Sequence, residues 1–525
     1  MIADVVGSYL DTLEEREFDA PFIALLRSLG FRDIHFLHGS FEFGKDFIAK
    51  GDDQGAPAQF SFQTKAGNLG LTDWNACRGQ IDMLRTNSLA HPAFDGRMPR
   101  KAVFVTTGRL VGGAALAAQQ YAQHLAQFGE IGFVTWDRET LVELITKTPE
   151  IGLASEAQGA FLELIGQIDQ KRIEEKEIEL FSQRWLSATG SMTLHTSALE
   201  AAVIANRLRR NERIDLACFV GLCLIRAAWA RTHAAEPVDD AAMLTANTGR
   251  QLFRHYAWDL FDRCGDDLLD PLNMVRTHHP MAAHVTYPVR CLRLVEILGL
   301  LGLLESEAGD PRSQNLRDFL IKFIDNNPGT AHPISDRWAV SLIPPVLMLG
   351  RAGHAQPVRR LLQNVIKWVA DRYDSDSRGL AGPDSSPEEE LEYLLGEPFE
   401  HIETDRRAES YIATVVLDLA AMLEMGDLFN IARNEFLAVD AVLPVVEVPD
   451  TPGQYIFGGE GACFTPNMEY ADSWEPADGW RVAPHHTRAV TDYYLQRIGR
   501  WWDLLALSAV LRDRHFLETC RHFLA

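Results

Sequence analysis

The sequence lacks the features that mark secreted, zinc-dependent and membrane proteins. Seven cysteines are scattered through 525 residues and none stands at Cys-x-x-Cys spacing, which argues against a zinc knuckle or a disulfide framework and predicts a reducing compartment. The most apolar run, residues 294–304, is too short to cross a bilayer and contains Glu296. The N-terminal segment has neither the basic nor the apolar region of a signal peptide. We therefore expect a cytoplasmic protein with no membrane partner.

Basic residues are also in deficit. Lysine and arginine number 50 against 73 aspartates and glutamates, which gives a formal net charge of −23. This charge disfavours a broad polyanion-binding surface but leaves room for a local basic groove. Residues 110–116 carry two glycines before a predicted helix, yet they lack the Lys-Ser/Thr pair of a phosphate-binding loop, so we expect no ATP site.

The periodicity that is present divides the chain in three. Residues 1–150 follow the order α-β-β-β-α-β-α-β-α, which predicts a compact α/β domain with a mixed central sheet. Residues 151–190 read as a charged helical connector. Residues 191–525 show recurring amphipathic helical segments of no fixed repeat length, which predicts an all-helical repeat-like region of the solenoid or toroid type.

Polar side chains concentrate in two neighbouring strand patterns near the N-terminus. Asp46 opens the segment 46–50, and Gln63 and Lys65 alternate with Phe60 and Phe62 in the next strand. Because alternate residues share a face, Gln63 and Lys65 project together while the phenylalanines face the core. Carboxylate and amide oxygens suit Mg²⁺, and a lysine beside such an ion can stabilise charge on a phosphate. A hairpin would bring these groups together.

Asp46 followed one hairpin later by Gln-x-Lys resembles the PD-(D/E)xK nuclease superfamily, in the Mrr-type branch that carries Gln in place of the first acid of (D/E)xK. Three stretches of residues 10–147 carry the resemblance: "FDAPFIALLRSLGF", "GSFEFGKDFIAK" and "FSFQTKAG". Gln80 stands where the following helix of these nucleases often has a glutamine. The resemblance implies an α/β restriction-endonuclease-like fold and a DNA substrate.

The resemblance also implies roles for individual residues. Asp46 and Gln63 would bind Mg²⁺ or Mn²⁺, and Lys65 would be the catalytic lysine. Glu42 would lie at the rim of the site. The acid that the family places on its leading helix would be either Glu17 or Asp19, and Asp19 is also a candidate helix N-cap.

Three functions compete at this point. The first is a metal-dependent DNA endonuclease of the restriction or anti-phage defence type, whose helical region senses a ligand or recruits a protein partner. The second is a catalytically inactive, nuclease-like DNA-binding module on a helical scaffold. The third is an α/α-barrel-like enzyme with a site near Glu388–Glu390 and the 449–480 loop, although an acidic run is more often a solvated face. Each is compatible with a homo-oligomer.

Two further groups of residues are predicted to be structural. Trp501 and Trp502 are expected in the core or an interface. The histidines lack a carboxylate or cysteine at ligand spacing, so we expect them to be surface or internally bonded residues. They are His278, His279, His284, His485 and His486.

Overall fold

In the computed structural model the chain forms two compact units. Unit 1 comprises Met1–Gln170 and Gly190–Ile204, and unit 2 comprises Lys171–Thr189 and Ala205–Ala525. The structure describes residues 2–37, 45–53, 55–86, 91–95, 97–127, 132–148, 159–186, 193–233, 240–275, 280–308, 312–395, 406–447, 463–465 and 500–525. The prediction of an α/β region followed by a helical region is confirmed.

Unit 1 is built on a mixed five-stranded sheet. The strands lie in the order β1-β2-β3-β4-β5; β1, β2 and β3 pair antiparallel, whereas β3, β4 and β5 pair parallel. The strands are β1 (Arg32–Phe36), β2 (Phe47–Asp53), β3 (Ala56–Lys65), β4 (Arg100–Thr106) and β5 (Gly132–Trp136). The helices are α1 (Ile2–Leu10), α2 (Asp19–Ser28), α3 (Leu71–Thr86), α4 (Gly113–Gln127), α5 (Arg138–Lys147) and α6 (Gly159–Asp169).

The alternation in β3 separates the two faces of this sheet. Phe62 packs edge-on against Phe22 of α2, with ring centroids 5.3 Å apart, and Phe60 lies on the same face. On the other face Phe104 of β4 belongs to a buried cluster with Trp74 of α3 and residues of α4. Gln63 pairs in register with Phe104, so its side chain projects to the α3 side of the sheet.

Unit 2 is helical apart from one short ribbon among its described residues. The ribbon pairs β6 (Val445–Glu447) antiparallel with β7 (Cys463–Thr465). The helices of the second region are α7 (Glu175–Ser182), α8 (Leu194–Arg210, divided between the units), α9 (Ile214–His233), α10 (Asp240–Asp262), α11 (Pro271–Met274), α12 (Pro280–Ala308), α13 (Ser313–Asn326), α14 (Ile343–Arg351), α15 (Ala355–Tyr373), α16 (Pro387–Leu395), α17 (Tyr411–Met422), α18 (Gly426–Ala438), α19 (Trp501–Leu511) and α20 (Leu517–Leu524). Within the described part of the chain, no helix has the length and apolarity that a bilayer crossing requires.

Glycines let two helices of unit 2 approach closely. A Cβ atom on Gly221 of α9 would lie 2.8 Å from the carbonyl oxygen of Gly249 in α10, and a Cβ on Gly249 would lie 2.7 Å from Ile225. Both distances are shorter than van der Waals contact, so the α9–α10 packing requires the absence of both side chains.

Buried ion pairs join distant segments of unit 2. Arg512, which is 2% exposed, donates from Nε and Nη2 to Glu175 Oε1 at 3.2 and 3.1 Å and from Nη1 to Glu296 Oε2 at 2.7 Å. Asp336 is fully buried and accepts hydrogen bonds from Arg407 and from the Ile412 backbone amide. Such pairs tolerate the loss of one partner poorly, because the other charge is left buried.

Trp501 and Trp502 both lie in α19, where Trp502 is buried and Trp501 is partly buried. Trp502 is fully buried and donates from Nε1 to the Leu300 carbonyl oxygen at 2.9 Å. Trp501 stacks on His522 of α20, with ring centroids 4.5 Å apart. The prediction that they serve packing is confirmed.

Candidate active site

The hairpin of β2 and β3 brings Asp46 next to Gln63. The register pairs Phe47 with Phe62, and the Asp46 amide donates to the Phe62 carbonyl oxygen at 2.8 Å. Asp46 therefore stands one residue before β2, opposite Gln63, at the end of β3 that also carries Lys65. The hairpin predicted from the alternating pattern is confirmed.

Three donors converge on one oxygen of the Asp46 carboxylate. Oδ2 accepts from Gln63 Nε2 at 2.9 Å, from the Thr64 amide at 2.7 Å and from Thr64 Oγ1 at 3.0 Å. Burial raises the pKa of the Asp46 carboxyl above its ordinary value, although the Thr64 hydrogen bonds and the nearby Lys65 charge act to lower it. The three bonds hold the carboxylate in one orientation and leave Oδ1 as the oxygen that can meet a ligand.

Gln63 has a buried oxygen that no described residue satisfies. The residue is 3% exposed, and its Oε1 accepts no hydrogen bond from the described part of the chain. The amide orientation follows from its neighbour, because exchanging Oε1 and Nε2 would turn an oxygen toward the Asp46 carboxylate. A buried acceptor without a partner costs about 1–3 kcal/mol, so this atom marks a place for a donor or a cation.

The donor set fits a hard divalent cation. Asp46 supplies a fixed carboxylate and Gln63 an unsatisfied amide oxygen, and oxygen ligands are what Mg²⁺ and Mn²⁺ prefer. The residues that the structure describes contain no group of three or more His, Cys, Asp or Glu side chains placed around a common point. A cation here would therefore be held by Asp46 and Gln63, and its remaining ligands would be groups other than His, Cys, Asp or Glu side chains of the described residues.

Lys65 is held by an acid that the sequence did not single out. Its Nζ donates to Glu15 Oε1 at 3.0 Å, with the two side chains 23% and 48% exposed. Glu15 lies in the turn between α1 and α2. The acidic run from Glu14 to Glu17 was a visible signal, but periodicity does not assign a direction to side chains in an irregular turn.

The two predicted helix acids lie at the start of α2 or just before it. Glu17 accepts from the Glu14 backbone amide at 3.0 Å and lies near Tyr9, whose phenol pKa is raised by burial and by the Glu17 charge. Asp19 is the first residue of α2, and Phe18 occupies the N-cap position. Asp19 therefore stands in the first helical turn, where a negative charge is favourable, and not at the N-cap as the alternative supposed.

Lys45, immediately before Asp46, is a second cation that sequence reasoning missed. Its side chain is fully buried, and Nζ donates to the Met83 carbonyl oxygen of α3 at 3.0 Å. Burial, followed by the charge of Arg100, lowers the pKa of Lys45 to about 8. The bond to α3 fixes the chain just before Asp46 against the helix that covers this side of the sheet.

Other predicted residues are placed as follows. Gln80 lies on the exposed side of α3. Glu389 and Ser386 form a reciprocal capping box at the start of α16, and Glu390 is buried and accepts from Ser335 Oγ. These contacts give Glu389 and Glu390 structural roles, whereas Glu388 is exposed.

Several predicted positions lie outside the described residues. They are Glu42, His278, His279, His485, His486 and, apart from the strand Cys463–Thr465, the 449–480 loop. His284 is described and is exposed.

Comparison with protein-family models, with curated proteins and with solved structures finds no match for this chain. The function is therefore inferred from the geometry around Asp46.

Proposed function

We propose that unit 1 is a restriction-endonuclease-like nuclease domain that hydrolyses DNA phosphodiester bonds with Mg²⁺ or Mn²⁺. One observation carries the proposal: the unsatisfied Oε1 of Gln63 lies beside the oriented carboxylate of Asp46, on the strand that presents Lys65 two residues later. A buried acceptor without a partner destabilises a hairpin that has only a structural role, whereas in a cation site the same oxygen is satisfied by the bound ion.

The chain's own residues have distinct tasks in this proposal. Asp46 and Gln63 would hold the cation, which when bound would act as a Lewis acid and lower the pKa of a water at the scissile phosphate. Thr64 keeps the Asp46 carboxylate oriented through its amide and hydroxyl. Lys65 places a positive charge where negative charge develops on the phosphate in the transition state. Glu15 holds the ammonium of Lys65 at the mouth of the site until substrate arrives.

The helical second region is proposed to regulate or direct cleavage, in the manner of restriction or anti-phage defence effectors, by binding a ligand or a protein partner. Its support is architectural: the helical region forms a compact unit of its own, distinct from the unit that carries the candidate site.

Cleavage of plasmid DNA by the purified full-length protein tests the proposal. We expect nicking or linearisation with Mg²⁺ or Mn²⁺ and none in EDTA. Asp46→Ala removes the charged ligand and Lys65→Ala removes the cation, so each should abolish cleavage while far-ultraviolet circular dichroism stays unchanged. Lys50→Ala is the matched control, since Lys50 lies on the same hairpin but pairs with exposed Asp33 at 2.7 Å.

Two results would contradict the proposal. Near-wild-type cleavage by the Asp46 or Lys65 variant would show that the site is misassigned. DNA binding in a gel shift with no cleavage under any metal would favour the alternative function, an inactive nuclease-like DNA-binding module.

A further inference from the structure

A polar cavity lies just beyond the end of the strand that carries Lys65. It has a volume of about 210 Å³ and is lined by Asp11, Gly67, Asn68, Gly108, Arg109 and Arg138. The Thr107 amide donates to the Lys65 carbonyl oxygen at 3.1 Å, so the loop that forms one wall starts beside Lys65 itself. Because Gly67 follows Lys65 by two residues, the cavity and the candidate site are neighbours on one edge of the sheet.

The backbone walls of the cavity are fixed in place. A Cβ atom on Gly108 would lie 2.1 Å from the Gly67 carbonyl carbon, so the loops after β3 and β4 touch through their glycines. The Thr106 hydroxyl donates to the Gly67 carbonyl oxygen at 2.8 Å, and the Arg109 amide donates to Asn68 Oδ1 at 2.8 Å. With Oδ1 engaged, the Asn68 side chain still has two N–H donors, and no described residue accepts from them.

The two arginines of the cavity are held very differently. Arg138 is 17% exposed, donates two hydrogen bonds to Asp11 at 2.6 and 2.8 Å and a longer one from Nη1 to Glu139 Oε1 at 3.5 Å, and packs over Gly7 of α1, so its role is structural. Arg109 is 58% exposed, and its Nε and Nη2 both donate to one oxygen of Glu139, which is 60% exposed. Exposed pairs of this kind contribute only about 0–1 kcal/mol, so Arg109 can exchange Glu139 for another anion.

We infer that this cavity binds a non-scissile phosphate of the DNA substrate. Arg109 releases Glu139 and forms a bidentate contact to the oxygens of that phosphate. The inference rests on the proposed nuclease function and names a second substrate contact for it. Arginine suits this task because its guanidinium donates two parallel hydrogen bonds to phosphate. The cavity is smaller than the roughly 300–1,000 Å³ of pockets that enclose drug-sized ligands, which favours a single phosphate group of a polymer over a whole nucleotide.

Binding of a fluorescein-labelled DNA duplex to the full-length protein, followed by anisotropy in EDTA at several salt concentrations, tests this contact apart from cleavage. Arg109→Gln should weaken binding about tenfold at low salt and reduce the slope of log affinity against log salt by about 1. Glu139→Gln removes the competing carboxylate, so it should tighten binding with no loss of slope. Lys147→Gln is the control, because Lys147 is an exposed cation paired with exposed Glu143 at the other end of α5.

The possible failures are distinguishable. If the wild type binds and cleaves DNA while Arg109→Gln and Glu139→Gln match the Lys147→Gln control, the cavity inference is overturned and the nuclease proposal stands. If the wild type cleaves DNA with metal but binds none in EDTA even at low salt, the cavity inference is overturned and the nuclease proposal stands. If it neither binds nor cleaves DNA, with or without metal, both are overturned. If deoxyadenosine monophosphate or inorganic phosphate raises the melting temperature of the wild type but not of Arg109→Gln, while DNA binding is equal in the two, the ligand is a free phosphate compound and the strand contact is refuted.

Discussion

Replacing Thr64 with valine removes one of the three hydrogen bonds to the Asp46 carboxylate while nearly preserving the shape of the side chain. Thr64 is 2% exposed, and its Oγ1 lies 3.0 Å from Asp46 Oδ2. A hydrogen bond to a charged group contributes roughly 1.5–3 kcal/mol. The two other donors to Oδ2 remain, so we expect the lower end, about 1.5 kcal/mol, as the loss in the opening free energy of the β2–β3 hairpin.

The same loss has a definite pH dependence. Burial raises the pKa of the Asp46 carboxyl on folding. The free energy of unfolding therefore falls as the pH rises from the unfolded-state pKa through the folded-state pKa of this group. The Thr64 bonds reduce that decrease because they favour the ionised form. The penalty of Thr64→Val should therefore be complete above the folded-state pKa and should fade below it, where Asp46 is protonated in both variants. In the ionised range, about 1.5 kcal/mol corresponds to about a tenfold change in the ionisation equilibrium of this carboxyl.

Hydrogen exchange measured by mass spectrometry on peptides of β3 gives this opening free energy without assuming that the two units unfold together. Thr64→Ser keeps the hydroxyl and is the control, and it should recover most of the loss at neutral pH. Equal exchange of the valine and serine variants would refute the reasoning. A penalty of the same size at acidic and neutral pH would do so as well.

Three other perturbations have expected outcomes. Gln63→Glu should tighten Mg²⁺ binding, and Gln63→Ala should weaken both Mg²⁺ binding and cleavage. The wild type should need Mg²⁺ in the roughly millimolar range, because its neutral amide attracts the ion less than a carboxylate would. Calorimetry measures the Mg²⁺ affinity of all three proteins. Arg407→Leu leaves Asp336 as a buried, unpaired charge and should destabilise unit 2 by about 3–5 kcal/mol, visible in thermal melting. Gly108→Ala forces a Cβ into the opposing loop and should cost unit 1 about 1–3 kcal/mol, read by exchange in β4.

Each of these has a control or a contrary outcome. Micromolar Mg²⁺ affinity in the wild type, unimproved by Gln63→Glu, would show that Gln63 is not a ligand. Arg359→Leu removes an arginine that pairs with exposed Asp427 and should change stability by less than about 1 kcal/mol; an equal effect of both arginine variants would contradict the argument from burial. Gly166→Ala meets no atom within 4 Å in α6 and should stabilise that helix by about 0.5–1 kcal/mol, opposite in sign to Gly108→Ala.

The sequence predicted the hairpin and its chemistry because strand alternation is a local property. A period of 2 is enough to place Gln63 and Lys65 on one face, and Asp46 at the start of the partner strand follows from a short connection. The mixed sheet followed from the order of strand and helix patterns. These predictions needed no knowledge of contacts between distant residues.

The rest of the site depended on tertiary packing. Glu15 meets Lys65 across 50 residues from an irregular turn, where no periodicity assigns a direction. The convergence of donors on Asp46 arises because Thr64 lies at the end of β3, where its amide is available to a side chain. In unit 2, apolar periodicity predicted helices but could not pair Arg512 with Glu175 and Glu296, since electrostatic partners carry no sequence period.

The pairing of Arg512 with Glu175 also sets the order of events during synthesis. The two residues are 337 positions apart, and Arg250 and Asp503 are 253 apart. At about 5–20 residues per second, a ribosome needs roughly 17–70 s to make the segment between Glu175 and its arginine. Throughout that interval Glu175 can pair with Arg293 and Arg337, and Glu296 with Arg293, but both lack the buried Arg512 guanidinium that joins them. Because Arg512 and Trp502 belong to its interior, unit 2 completes its folding only after almost the whole chain has emerged.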